Sequence, residues 1–166
     1  MAEADLVTRL ATVADIDDVA ALLQANEVPA GGTLTGHFDQ AKVAAMLADM
    51  PGIVARRGAA LAGVVLLGSR ATASSVPILA AMLAAYRGDD GAYLYGPVCV
   101  AASERGRGVA ERLLAAVKAI LPGREGVLFI RADNAASLHV HRDKLGMTVR
   151  ARFRFADADH VVLSYR

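Results

Sequence analysis

The chain has 166 residues, 55% of them hydrophobic, and a formal net charge of +1. That length fits one domain burying roughly 70% of its unfolded surface without cross-links, the apolar share excludes a disordered chain, and the near-zero charge gives no field favouring nucleic acid or an anionic membrane. The single cysteine, Cys99, excludes an internal disulfide and, with no signal-peptide core in residues 1–18 and apolar runs (59–67, 76–86) too short for a bilayer, points to a cytoplasmic protein.

Residues 6–11 read as a first strand. Thr12 and Asp15 resemble a capping box, and Ile16, Val19, Ala20 and Leu23 then repeat at helical spacing until 28–32 breaks the helix. A second helix is expected over 38–50, closed by Pro51-Gly52, followed by strands 53–56 and 61–68 around an Arg57-Gly58 turn. Residues 74–86 carry apolar groups at helical spacing, and 87–91 is a loop. The strand at 93–100 contains Gly96-Pro97, so its ladder should fail there on one side. The strongest helix spans 106–120, with Val109, Leu113, Val117 and Ile120 on one stripe and Pro122-Gly123 as its stop. Residues 127–130 look like a buried parallel strand. Asn134 can cap a helix reaching about Lys144, with Gly146 behind it. Residues 148–155 alternate, setting Val149, Ala151, Phe153 and Phe155 against Arg150, Arg152 and Arg154. A last strand covers 161–165. The order predicts one α/β domain over residues 1–166, with a mixed sheet of about seven strands flanked by helices and a right-handed crossover between 93 and 130.

The most informative stretch is Val98-Cys99-Val100, then Ala101-Ala102-Ser103-Glu104, then Arg105-Gly106-Arg107-Gly108-Val109-Ala110. An apolar strand enters a two-glycine turn that opens directly into an amphipathic helix. Such a turn converges unpaired backbone N–H groups on one point, and the glycines admit a bulky anion close to the chain. It is neither a Walker loop nor a full dinucleotide fingerprint, because Gly-x-x-x-x-Gly-Lys, the third glycine and a downstream ribose-binding acid are missing. The plain alternative is an ordinary glycine-rich loop.

Arg105-Gly106-Arg107-Gly108-Val109-Ala110 resembles the Gln/Arg-x-x-Gly-x-Gly/Ala signature of the GCN5-related N-acetyltransferase (GNAT) superfamily, and matches it completely. The block Asn134-Ala135-Ala136-Ser137-Leu138, His141 and Lys144-Leu145-Gly146-Met147 is similar to that family's second half, and residues 8–23 are similar to its opening. The resemblance implies acetyl-CoA, or another acyl-CoA, as cofactor. Backbone amides from Arg105 to Ala110 would hold the pyrophosphate with the helix dipole. The strand 96–100, including Val98, Cys99 and Val100, would pair with the pantetheine arm, and the Val98 N–H would polarise the thioester carbonyl, a contact usually worth a few kcal/mol. Asn134 and Ser137 would touch the cofactor arm; their plain alternatives are a helix cap and an exposed serine.

His141 lies two helical turns after Asn134, where the family often places the tyrosine that protonates the departing thiolate; imidazole can do the same work. The alternative is a histidine packed beside the core. The interval from His141 to Leu145-Gly146 is one residue longer than the family's commonest form. Tyr95, His37, Asp133 and Asp39 are conceivable bases. Cys99 has no Cys/His/Asn partner set and reads as wall packing. The arginine row of 148–155 reads as a solvated face rather than an anion site. Residues 31–37 and 74–90 are candidates for acceptor specificity, and the 70–91 insertion is a lid, an interface or extra core. The expected activity is acetyl transfer to a primary amine of a small molecule or protein, by a cytoplasmic enzyme with no nucleic-acid or membrane partner; the family's habits allow a homodimer. The alternatives are a non-catalytic acyl-CoA-binding module of the same fold, and an unrelated nucleotide binder.

Overall fold

Seven strands and six α-helices emerge from these periodicities in the computed structural model, which describes residues 2–166. In chain order they are β1 (Leu6–Leu10), α1 (Ile16–Ala25), α2 (Gln40–Asp49), β2 (Ile53–Arg57), β3 (Ala60–Gly68), α3 (Arg70–Ala73), α4 (Pro77–Ala85), β4 (Tyr93–Val100), α5 (Val109–Ile120), β5 (Gly126–Arg131), α6 (Ala135–Leu138), β6 (Thr148–Phe155) and β7 (Ala158–Tyr165). The sheet is mixed, in the order β1-β2-β3-β4-β5-β7-β6. β1 with β2, β2 with β3, β5 with β7 and β6 with β7 run antiparallel, and β4 with β5 runs parallel. Among the described residues no helix is long and apolar enough to cross a membrane.

Packing gathers the chain into two compact units, one reaching to Leu67 and including Gly96–Ile120, the other formed by Gly68–Tyr95 and Leu121–Arg166. In the first, Val19, Ala20 and Leu23 of α1 and Val43 of α2 bury against Val54, Val64, Leu66 and Cys99. The capping box is present: the Thr12 N–H donates to Asp15 at 2.8 Å. Asp15 is buried and also accepts from Arg9 and Arg56 at 2.7 and 2.8 Å. Those bonds, Arg9 foremost, hold its carboxyl well below the usual carboxylate range. The second helix starts at Gln40, later than expected, because the Asp39 carboxylate caps it through the Lys42 N–H at 2.8 Å.

In the second unit, β6 and β7 form a hairpin whose two turn residues, Ala156 and Asp157, both have positive φ, as a tight primed turn demands. Met82 of α4, with Leu79, Leu83 and Tyr86, packs on Ala92, Leu94, Val127 and Val162. The helix expected over 74–86 is α4, which starts later than expected because Pro77 cannot continue a helical ladder and instead opens the helix at its first turn; the one-turn helix α3 upstream of it was not expected. Of the readings left open for the 70–91 insertion, core packing is the one these contacts bear out. Its end is pinned by the buried Glu125 carboxylate, which accepts from Tyr86 Oη at 2.6 Å and the Asp89 N–H at 2.8 Å. β5 is half as expected: it runs parallel to β4 only at Tyr93↔Gly126 and Leu94↔Val127, and antiparallel to β7 along its whole length.

Candidate active site

The glycine turn is built as its sequence dictates. Gly106 and Gly108 sit at φ +72° and +78°, a region that excludes most side chains. This is why α5 begins at Val109 rather than at 106. A Cβ at Gly106 would meet nothing within 4 Å, and one at Gly108 only Glu111 Oε2 at 3.9 Å. The turn therefore carries the open space a bulky anionic group needs. The first helical bond we observe here runs from the Arg112 N–H to Gly108 O at 3.1 Å, and the N–H groups ahead of it belong to the first turn, which has no intrahelical acceptors. Val109, Leu113 and Val117 bury the helix's inner face, whereas Ile120, expected on that stripe, is 37% exposed.

The two arginines of the turn point their charge at the protein. Arg105 donates to Asn26 Oδ1 at 2.8 Å, while Arg107 pairs with Glu3 and, at 3.4 Å, with Glu104. Glu104 is in turn bound by Arg57 at 3.0 Å. The anion-attracting capacity of this loop thus resides in its main chain and the start of α5.

Upstream, the ladder between β4 and β5 ends at Leu94, before the cis Gly96-Pro97 bond, as a proline in a strand requires. Val98 and Val100 are half-buried. Cys99 is buried in the core with its Sγ 3.9 Å from Leu22 O, and burial pushes its thiol up to about 11. A protonated, buried thiol is no nucleophile, which agrees with packing as its role.

In the second unit, Asn134 Oδ1 accepts the Ser137 N–H at 3.2 Å, so Asn134 does cap α6. Beyond Leu138 the helix widens: His139–Lys144 form a π-type turn, closed by the Leu145 N–H on Val140 O at 2.8 Å. A π turn accommodates one extra residue, and this is where the long interval between His141 and Leu145-Gly146 goes. His139 stays at the surface beside Asp143, at 3.1 Å.

His141 is buried, and its Nδ1 donates to Ser137 O at 2.8 Å. A carbonyl only accepts, so a proton lies on Nδ1, and in the neutral ring Nε2 carries the lone pair. Burial holds the imidazole below its ordinary 6.5, against the opposing pull of the Ser137 carbonyl. The Tyr95 ring meets His141 edge-on at 6.5 Å and Tyr165 at 5.3 Å. Tyr165 Oη lies 2.5 Å from Tyr93 Oη. Burial raises the Tyr95 phenol far above its ordinary value, with Tyr93 adding to the shift. Two side-chain atoms of this cluster, Tyr95 Oη and His141 Nε2, are buried with no hydrogen-bond partner.

The other candidate bases have structural partners. His37 binds the buried Glu27 at 3.0 Å, Asp133 pairs with Arg131 at 2.8 Å, and Asp39 caps α2. Arg150 donates to Ser164 at 2.9 Å and Arg154 pairs with Asp159 at 3.0 Å, as expected of a solvated strand face. Sequence reasoning missed Ser137 as the group that orients His141, although their four-residue spacing is the signal for such a bond. It missed Tyr165 altogether, because nothing local ties that residue to Tyr95.

A model of the acetyltransferase (GNAT) family matches residues 39–147, more than half the chain. The chain belongs to that family. This GNAT protein also superposes on solved structures at low identity. YncA from Salmonella typhimurium, solved with its cofactor acetyl-CoA, is 20% identical with a TM-score of 0.71, over 98% of this chain and 94% of that one. An N-acetyltransferase from Staphylococcus aureus Mu50 is 21% identical with a TM-score of 0.69, over 98% of each chain. A chain of the NatC complex bound to Gag peptide and CoA is 15% identical with a TM-score of 0.70, over 96% of this chain and 97% of that one. The mixed sheet of this protein is thus one found in structures that hold acetyl-CoA or CoA. No curated protein matches the chain in sequence.

Proposed function

We propose that this GNAT protein is an acyl-CoA-dependent N-acyltransferase that moves an acetyl group to a primary amine of a small molecule or a protein. One observation carries the reading: the turn before α5 is held open by two positive-φ glycines with clear space around them, at the family's phosphate-binding signature. The backbone of Arg105–Ala110 would hold the pyrophosphate, and the Val98–Val100 backbone, with Asn134 and Ser137, the pantetheine arm. The bound group supplies an activated acyl thioester. The Val98 N–H would stabilise charge on its carbonyl oxygen, and His141 would serve the proton transfer that amide formation requires.

The test is coenzyme A itself. At 100 times its dissociation constant it should stabilise the protein by about 2.7 kcal/mol, and acetyl-CoA with a panel of primary amines should release free thiol. No melting shift at saturation would overturn the reading. A shift with no thiol release from any amine would leave the non-catalytic module in its place.

A further inference from the structure

We infer that Tyr95 and His141 form a proton-transfer pair with opposite roles, His141 Nε2 taking the proton of the acceptor amine and Tyr95 Oη giving one to the leaving sulfur. The inference rests on the acyltransferase reading and assigns its acid and base.

The argument starts from two costs left open. Tyr95 is 3% exposed and His141 is 7% exposed, yet each presents a polar atom with no partner. Buried polar groups are nearly always paired, and an unpaired one costs about 1–3 kcal/mol. Two such atoms on adjoining rings, one a donor and one an acceptor, mark a place reserved for something that arrives. The direction of transfer follows from the tautomer. With Nδ1–H fixed on Ser137 O, the imidazole offers only a lone pair at Nε2, and its lowered pKa keeps it neutral near pH 7. Such a ring accepts a proton before it can donate one, which reverses the role the family resemblance implies. The phenol of Tyr95 stays protonated at every working pH, so it is a donor and not the base that it was a candidate for. The neighbours of the pair add no fixed charge: Ser137 Oγ lies 3.2 Å from His141 Nδ1, Tyr165 meets the Tyr95 ring edge-on, and Tyr93 in turn packs on Tyr165.

The protons balance. As the C–N bond forms, the amine proton passes to His141 Nε2. As the C–S bond breaks, the sulfur takes the Tyr95 proton. The imidazolium then gives its proton to water and the phenolate takes one from water, and both groups are reset.

The first test needs no acceptor. Nitrogen-15 NMR of the imidazole in the full chain should show the Nδ1–H tautomer, neutral at pH 7 and titrating below 6.5. An Nε2–H tautomer, or an imidazolium at pH 7, would overturn the assignment. The second test uses acetyl-CoA with the fastest amine of the panel. Tyr95→Phe and His141→Gln should each lower kcat about 100-fold, with KM for acetyl-CoA little changed. The double variant should be no worse than the poorer single one, because the two act as a unit. The acid limb of the wild-type kcat profile should vanish in His141→Gln. Tyr95→Phe should melt no lower than wild type; a lower melting point would mark the hydroxyl as structural and sink the proposal, as would Tyr95→Phe turnover within about threefold of wild type. Loss of coenzyme A binding in wild type would instead remove the acyltransferase reading, so the two failures are distinct.

Discussion

The turn at Arg105–Ala110 and the cluster around His141 are built from opposite materials. The first is main chain: two glycines set its dihedral angles, and its arginine side chains are occupied by Asn26, Glu3 and Glu104. The second is side chain: an imidazole and three phenols from three separate segments, stacked edge-on and buried. A main-chain site tolerates many side-chain changes but few backbone ones. A side-chain site tolerates neither the loss of a single atom nor a shift in what supports it. The contrast predicts where each breaks.

The largest effect belongs to Gly108→Glu, which places a bulky anion in the open space at a positive-φ position. It should abolish the coenzyme A-induced stabilisation of about 2.7 kcal/mol at 100-fold excess, measured by thermal melting, while the imidazole spectrum of His141 stays as in wild type. Next comes Gly126→Ala. Its Cβ would lie 2.4 Å from the Tyr165 ring, so the ring must shift, at a cost of about 1–3 kcal/mol in urea unfolding. The displaced ring should disturb Tyr95 but leave the glycine turn intact.

A pH series sharpens the contrast further. The folded pKa of His141 lies below the unfolded 6.5, so the unfolded chain binds more protons between the two values. Its contribution to stability is complete above pH 6.5 and declines as the pH falls through that window. His141→Gln should flatten this part of the stability curve, whereas Gly108→Glu should not. The smallest effect is expected from Arg105→Ala. It loses one exposed bond to Asn26, and coenzyme A binding by calorimetry should weaken less than tenfold, since surface interactions of this kind contribute at most about 1 kcal/mol.

The same contrast explains what could be read from the sequence. The seven strands, the capping box at Thr12, the stop of the β4–β5 ladder near Gly96-Pro97 and the glycine turn all rest on local chemistry, and local chemistry is written in neighbouring letters. The resemblance of Arg105–Ala110 to the GNAT signature is of this kind, and the family match agrees with it. The start of α4 at Pro77 rather than at 74 was legible in that proline but masked by continuous apolar spacing around it. The Tyr95–Tyr165 contact was not legible, because it depends on β7 lying beside β5 and on the missing side chain of Gly126. The tautomer of His141 was not legible either, because it is decided by one carbonyl whose direction only the folded helix fixes.

The widened turn at His139–Lys144 has a consequence for how this segment can vary. Because one surplus residue is absorbed there in a single wide loop of backbone, removing one residue between His141 and Leu145 would restore ordinary winding without moving the imidazole. Removing one upstream, between Ser137 and His141, would rotate the ring by about 100° about the helix axis and take it away from the Tyr95 ring. Length here is a timing device, and deletions on either side of one histidine should have opposite fates.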